Sequence, residues 1–164
     1  MKLDKLLWLG LTLLALTTSA QVVSDPDWTE ADTPPPPTFN PAQLIPIEMP
    51  IYVSLRFGVD PATLTLTADG IVRYVVVTRN ATGTRNAMYE GIRCATGEVK
   101  TYARYTASGK WSSVPDPQWR GLSDNLPSKH AMALARQGVC EGRTATGNSV
   151  AAIVNALKNP KREP

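Results

Sequence analysis

The pattern of apolar and polar positions between residues 71 and 105 predicts the centre of the fold. Between Ile71 and Thr78, mostly β-branched apolar side chains lie on both faces, with Val72, Tyr74 and Val76 on one and Val75 and Val77 on the other, which is typical of a strand buried on both faces. Two further strand-like segments follow at residues 87–94 and 99–105, after short connections that contain glycine. Lys110-Trp111-Ser112 can begin a last short strand. This order predicts an antiparallel meander.

The two segments after the central strand have faces of different character, because side chains alternate along a strand. One face of the predicted pair is basic and aromatic, with Tyr89, Arg93, Lys100, Tyr102 and Arg104. The opposite face is mostly apolar, with Met88, Glu90, Ile92, Cys94, Val99, Thr101, Ala103 and Tyr105.

Glu90 is the exception on the apolar face. An unpaired buried carboxylate is costly, so Glu90 needs a partner, or a bulge at Gly91 that turns it outward. Two interpretations stay open. Glu90 is either a structural residue paired with an arginine such as Arg73 or Arg79, or a functional carboxylate of the perturbed kind that occurs at active sites.

Strands and helices on either side complete the predicted fold. Residues 51–57 alternate between apolar and polar and predict a first strand, while Leu64 and Leu66 lead through Asp69-Gly70 into the central strand. Helices are predicted around residues 127–137 and, after a cap at Asn148 or Ser149, up to Lys158. The expected fold class is α+β, with an antiparallel sheet of about five strands and two C-terminal helices packed on one face.

The N-terminal residues have the features of an export signal. Lys2 and Lys5 precede an apolar segment, residues 6–16, that is too short to span a bilayer, and small residues precede a cleavage site expected after Ala20. An uncleaved anchor is the alternative. The expected organisation is a signal peptide (residues 1–20), an acidic proline-rich leader (21–43), one domain (44–158) and a basic tail (159–164). The expected location is the periplasm, with no transmembrane segment left after processing.

The leader and the domain differ in charge. Residues 21–48 contain five acidic residues and no lysine or arginine, whereas the whole chain has a formal net charge of +3. Pro34 to Pro37 favour an extended polyproline spacer. The leader either packs on the basic face or remains solvated, and Trp28 either contacts the domain or contacts a partner. The sequence leaves these alternatives open.

Cys94 and Cys140 are the only two cysteines. Export places them in an oxidising compartment, where a Cys94–Cys140 disulfide is expected. Two cysteines and one histidine, without CxxC or HExxH spacing, do not predict a metal site, and no cofactor is expected.

Several segments together resemble the cryptic neisserial protein-like family. They are residues 69–80 (DGIVRYVVVTRN), residues 85–105 with the specific segment YEGIRC, residues 109–111 (GKW), and a later single cysteine after a helix. The resemblance covers about residues 25–143. It implies a small exported envelope protein of a Gram-negative bacterium, and it implies no catalytic residues.

The sequence contains no motif that predicts catalysis. There is no GxSxG, phosphate-binding loop or dinucleotide fingerprint, and His130 is the only histidine. The favoured hypothesis is a non-enzymatic binding module that uses the basic and aromatic face, because aromatics between cations can hold anionic or stacked ligands. The expected partner is an anionic envelope component or another envelope protein, and no nucleic acid. The alternative is a small hydrolase that uses Glu90 together with Tyr89 and Arg93.

Overall fold

The computed structural model of the protein describes residues 26–106 and 108–161. The predicted signal peptide lies outside the described residues, as do the last three residues of the predicted basic tail.

An antiparallel sheet of eight strands forms the centre of the domain. Six strands lie in the order β1-β2-β4-β5-β6-β7, while β3 pairs with β4 and β8 pairs with β6. The bounds are β1 Ile45–Ile47, β2 Arg56–Val59, β3 Thr65–Leu66, β4 Ile71–Arg79, β5 Arg85–Arg93, β6 Glu98–Tyr105, β7 Trp111–Ser113 and β8 Arg120–Gly121. The predicted fold class is confirmed, with eight strands rather than five.

Of the first predicted strand, residues 51–57, only Arg56 and Phe57 lie in a strand, at the start of β2. Residues 51–55 form no strand, and Ile51 is fully exposed. Pairing occurs on either side of this segment, in β1 and β2, which pair with each other. Pro50 cannot donate to a ladder and lies in the connection, whereas Pro46 is tolerated because β1 is an edge strand.

The C-terminal residues form the helical layer. Helix α1, His130–Leu134, is shorter than predicted and continues into a π turn, Ala135–Val139. The strands β9, Cys140–Glu141, and β10, Thr144–Ala145, then form a small hairpin. Helix α2, Val150–Lys158, is capped by Ser149, one of the two predicted caps, whose side chain accepts a hydrogen bond from the Ala152 amide.

The disulfide joins the two layers. Cys94, just after β5, is bonded to Cys140 in β9, which confirms the predicted pairing. Gly138 allows the π turn to approach α2 closely, because a Cβ at this position would lie 2.8 Å from the backbone of Ala156. The helical layer is therefore held to the sheet by a covalent bond and by close packing.

The sheet has a core on each face. The helices cover the face that carries Val72, Tyr74, Val76 and Ile92, which pack with Leu134, Ile153 and Leu157 in the larger core. The opposite face, here called the leader face, carries a smaller buried cluster of Val75, Val77, Ala87, Tyr89, Tyr102 and Ala103. The described part of the leader, residues 26–43, contributes Phe39 to this cluster, so the leader packs on the sheet.

Candidate functional site

Four of the five predicted binding residues lie together on the leader face. Tyr89 and Tyr102 are buried there, and Arg93 and Lys100 flank them on β5 and β6. The helices lie on the other side of the sheet. The leader of the same chain covers these residues instead, through Trp28, Glu30 and Phe39.

Arg104 lies on the opposite face. The pairing of β5 with β6 shifts by one residue, since Tyr89 pairs with Ala103 while Glu90 pairs with Thr101. This bulge reverses the alternation of β6 after Tyr102. Arg104 therefore pairs with Met88, and its Nη1 lies 3.2 Å from the Met88 sulfur. The prediction that Arg104 shares a face with Tyr102 is wrong for this reason.

Glu30 of the leader occupies a carboxylate site, which we define by its three donors: Lys100 Nζ, Tyr102 OH and Trp119 Nε1. They donate to the Glu30 carboxylate over 2.6, 2.8 and 3.1 Å, respectively. Partial burial would raise the pKa of Glu30, but the hydrogen bonds and the charge of Lys100 lower it below its ordinary value. The leader face thus binds an ionised carboxylate.

Trp28 packs beside this site. Its ring lies against Arg93, with 3.6 Å between the guanidinium carbon and the ring centroid, and meets Trp119 edge to face at 6.1 Å. Its Nε1 donates to the carbonyl of Asp69 over 2.8 Å. Arg93 therefore holds an aromatic ring rather than a carboxylate, and the two leader side chains Trp28 and Glu30 are bound by different chemistry.

A buried ion pair lies next to the carboxylate site. Arg73 on β4 is fully buried, and its Nη2 lies 3.2 Å from Asp69 and 3.7 Å from Glu30. Burial would lower the pKa of Arg73, but neighbouring Tyr102 and Asp69 raise it. The same nitrogen donates to the Ala31 carbonyl, and the Ala31 amide donates to Asp69. Arg73 and Asp69 therefore join the leader to the turn between β3 and β4, which contains Asp69.

Gly91 leaves the space into which Tyr102 leans. A Cβ on Gly91 would lie 2.8 Å from the Tyr102 hydroxyl and 2.8 Å from Ile71 Cγ2. With glycine at this position, the Tyr102 ring extends across β5 towards Arg73, whose guanidinium carbon is 5.6 Å from the ring centroid. The hydroxyl is thereby placed to donate to Glu30.

Glu90 lies on the helix side of the sheet in a fully bonded polar cluster. Its carboxylate receives hydrogen bonds from Thr101 Oγ1 (3.0 Å) and Tyr74 OH (3.1 Å), and lies 2.8 Å from His130 Nε2. Burial would raise the pKa of Glu90, but His130 and the two hydroxyl donors hold it below its ordinary value. Neither Arg73 nor Arg79 is its partner, so the arginine pairing considered from the sequence is wrong.

The Glu90 cluster has the contacts expected of a structural network. His130 stacks on Phe57, with 5.1 Å between ring centroids, and its Nδ1 lies 3.1 Å from Ser128 Oγ. Glu90 and His130 are both buried. The order serine–histidine–carboxylate resembles a hydrolase triad, but Ser128 also accepts from the backbone of His130 in a local turn. None of the three residues lines either described cavity.

The residues proposed for a hydrolase are not assembled in one place. Tyr89 and Arg93 lie on the leader face, whereas Glu90 lies on the helix face of the same strand. Within residues 26–106 and 108–161, no group of three or more His, Cys, Asp or Glu residues could hold a metal ion. Over the same residues, no helix is long and apolar enough to cross a bilayer.

Sequence reasoning missed the residues that hold the leader in place: Glu30, Asp69, Arg73 and Trp119. The signals were present but ambiguous. Trp28 and Glu30 were a tryptophan and a carboxylate in an otherwise spacer-like segment, and Arg73 was a charge inside an apolar central strand. A buried charge requires a partner, but the sequence did not show that the distant Glu30 lies beside Arg73 together with the nearby Asp69.

Comparison with known proteins identifies a family. The model of the CNP1-like family, a small family of uncharacterised proteins, matches residues 23–158. No curated protein and no solved structure matches the chain. The family match covers most of the chain, including the leader segment that carries Trp28 and Glu30 and all of the sheet. The chain therefore belongs to the CNP1-like family.

Proposed function

We propose that this protein is an exported, non-enzymatic interaction module whose leader face recognises acidic, aromatic-bearing polypeptide segments. The observation that carries the proposal is the occupied carboxylate site, where Lys100, Tyr102 and Trp119 all donate to Glu30. Three convergent donors around one carboxylate recognise that group by charge and by geometry.

The partner's chemistry follows from the two subsites. A ligand for this face presents a carboxylate to Lys100 and a flat ring to Arg93. In the ligand, as in the leader, these two side chains are two positions apart in sequence. Another envelope protein with such a segment is the proposed partner, and an anionic envelope component that fills the carboxylate site alone is a weaker ligand. Such a partner competes with the leader, which is present at a high effective concentration because it is tethered.

Export to the periplasm is part of the proposal. The N-terminal pattern of an apolar segment followed by small residues supports it, and so does the disulfide between Cys94 and Cys140. The same compartment makes nucleic acid an unsuitable partner. The proposal also equates the CNP1-like family with the cryptic neisserial protein-like family expected from the sequence.

The test weakens docking of the leader by mutation and then measures whether a leader peptide added in solution binds to the exposed leader face. The mature chain with Trp28→Ala and Glu30→Gln is titrated by calorimetry with a peptide of residues 25–33, DPDWTEADT. We expect saturable binding that is absent with a peptide in which glutamine and alanine replace Glu30 and Trp28. Adding Lys100→Ala should weaken binding about tenfold or more, since hydrogen bonds to charged groups contribute about 1.5–3 kcal/mol.

Arg104→Ala is the matched control, because Arg104 lies on the same strand and faces the other side. When Arg104→Ala is added to the chain with Trp28→Ala and Glu30→Gln, the peptide's binding constant should not change. The proposal is rejected if the peptide does not bind, or if Lys100→Ala and Arg104→Ala reduce binding equally, because either result means that the face does not recognise the carboxylate in trans.

A further inference from the structure

Three arginines form a row across adjacent strands, at the end of the sheet remote from the carboxylate site. In the pairing registers, Arg56 of β2 lies opposite Arg79 of β4, and Arg79 lies opposite Arg85 of β5. We call Arg56, Arg79 and Arg85 the arginine row. Like charges directly opposite each other destabilise a sheet, so this row opposes folding rather than supporting it.

No acidic residue of the described chain compensates the arginine row. The ion pairs of residues 26–106 and 108–161 involve other cations, and none of the three arginine side chains forms a hydrogen bond or an ion pair there. All three are exposed. Three adjacent guanidinium groups, with no counter-ion among the described residues, create a local positive field that favours an anionic partner.

A cleft with apolar walls lies beside the row. It has a volume of about 660 Å³, and Arg56, Arg79 and Arg85 line it together with Leu44, Met49, Val53 and Phe57. Among the described residues, no aspartate or glutamate lines it. The loop that follows β1 also projects its largest apolar side chains outward here, with Ile51 104% and Tyr52 84% exposed. We call Ile51 and Tyr52 the apolar tip.

From this arrangement we infer that the apolar tip and the arginine row form a docking site for an anionic phospholipid bilayer. Ile51 inserts among the acyl chains, Tyr52 lies at the headgroup level where its hydroxyl stays hydrated, and the arginine row binds lipid phosphates. This site does not rest on the function of the leader face, since it shares no residue with the carboxylate site.

The exposed tip favours a bilayer over a small soluble anion. A free phosphate would be held by the arginines alone and would leave Ile51 and Tyr52 in water. A surface that is both apolar and negatively charged accounts together for the exposed side chains of Ile51 and Tyr52 and for the neighbouring arginine row.

The experiment is sedimentation of the mature chain with sucrose-loaded vesicles, either of phosphatidylcholine alone or with 30% phosphatidylglycerol. We expect binding to the anionic vesicles that weakens at high salt. Replacing the arginine row by glutamine (Arg56→Gln, Arg79→Gln, Arg85→Gln) should reduce the partition constant roughly a hundredfold, at about fivefold per arginine. This variant should stay folded, because it removes like-charge repulsion.

Two more variants separate specific docking from general attraction. Ile51→Ser with Tyr52→Ser keeps the charge and should lower the partition constant about tenfold or more. A control triple, Lys110→Gln, Arg136→Gln and Lys158→Gln, removes the same charge from exposed positions elsewhere and should change it less than about threefold.

The inference is overturned if the anionic vesicles are not bound, or if the control triple loses as much binding as the arginine row. It is also overturned if inorganic phosphate at millimolar concentration abolishes vesicle binding while the tip variant binds like the unmodified chain, because the ligand is then a free anion.

Discussion

Replacing Glu30 by glutamine removes the charge through which the leader is held on the sheet. The substitution preserves the size of the side chain and one carbonyl oxygen, but it removes the anion from Lys100, Tyr102 and Trp119. It also leaves Asp69 as the remaining acidic partner of buried Arg73 among the described residues. We expect the leader to dissociate more often, while the sheet and the disulfide stay intact.

The magnitude follows from the contacts of Glu30. A hydrogen bond to a charged group contributes about 1.5–3 kcal/mol, and the side chain of Glu30 is 18% exposed, so solvent screens part of the interaction. Because glutamine keeps a weaker set of the same hydrogen bonds, we expect the free energy of leader docking to become less favourable by about 2 kcal/mol. Since 1.4 kcal/mol corresponds to a factor of ten, the population of the dissociated leader should rise about thirtyfold.

Proteolysis measures this population directly. A protease that cuts before aspartate must hold the chain around Asp27 or Asp32 in its active site, which the contacts of Trp28, Glu30 and Ala31 with the sheet oppose while the leader is docked. Neither cleavage site changes in Glu30→Gln. When opening and closing are fast relative to cleavage, the cleavage rate is proportional to the open population. We expect the rate to rise about thirtyfold.

Glu48→Gln is the control, because it makes the same chemical change at an exposed glutamate outside the carboxylate site. Its cleavage rate should match that of the unmodified chain. A rate increase below about twofold in Glu30→Gln, or an equal increase in both variants, would refute the account of the carboxylate site.

Three further results are expected. Replacing both Cys94 and Cys140 by alanine should lower the free energy of unfolding in urea by about 4 kcal/mol, because the disulfide joins residues 46 positions apart; an unchanged midpoint would contradict this. Glu90→Gln should cost about 2–3 kcal/mol in the same assay, since three groups lose a charged acceptor in the core; a variant of unchanged stability would contradict the structural interpretation. Because the pKa of Glu30 is lowered, its contribution to leader docking is complete above the ordinary glutamate pKa of 4.5, declines as pH falls below that value and is lost as pH passes through the lowered pKa. A fluorotryptophan NMR signal from position 28 should report this change, and a pH-independent signal would contradict it.

The sequence was sufficient for the features that depend on local periodicity. The β-branched segment after Ile71 identified the central strand, and glycine-containing connections placed the following strands. The i, i+3, i+4 pattern after Ser149 identified α2 with its cap. The pairing of Cys94 with Cys140 followed because no other cysteine is available.

The remaining features depend on contacts that periodicity does not encode. The extra residue at Tyr102 moved Arg104 to the other face, and nothing in the alternation of β6 marks a bulge. The alternation of residues 51–57 had the pattern of a strand, although Ile51 lies in an exposed loop. The contact of the leader with the sheet joins Glu30 to Lys100, 70 residues apart, and such distant pairing is set by the assembled fold.

Hydrogen exchange of the Ala31 amide tests the central claim, that the leader of the mature chain occupies its own basic and aromatic sheet face. This amide donates to the Asp69 carboxylate, which is itself paired with Arg73. The account predicts exchange at least about a hundredfold slower than in an unstructured peptide, and a return towards the unstructured rate in Glu30→Gln. Exchange of Ala31 at the unstructured rate in the unmodified chain would contradict it, because the leader would then be free and the face open.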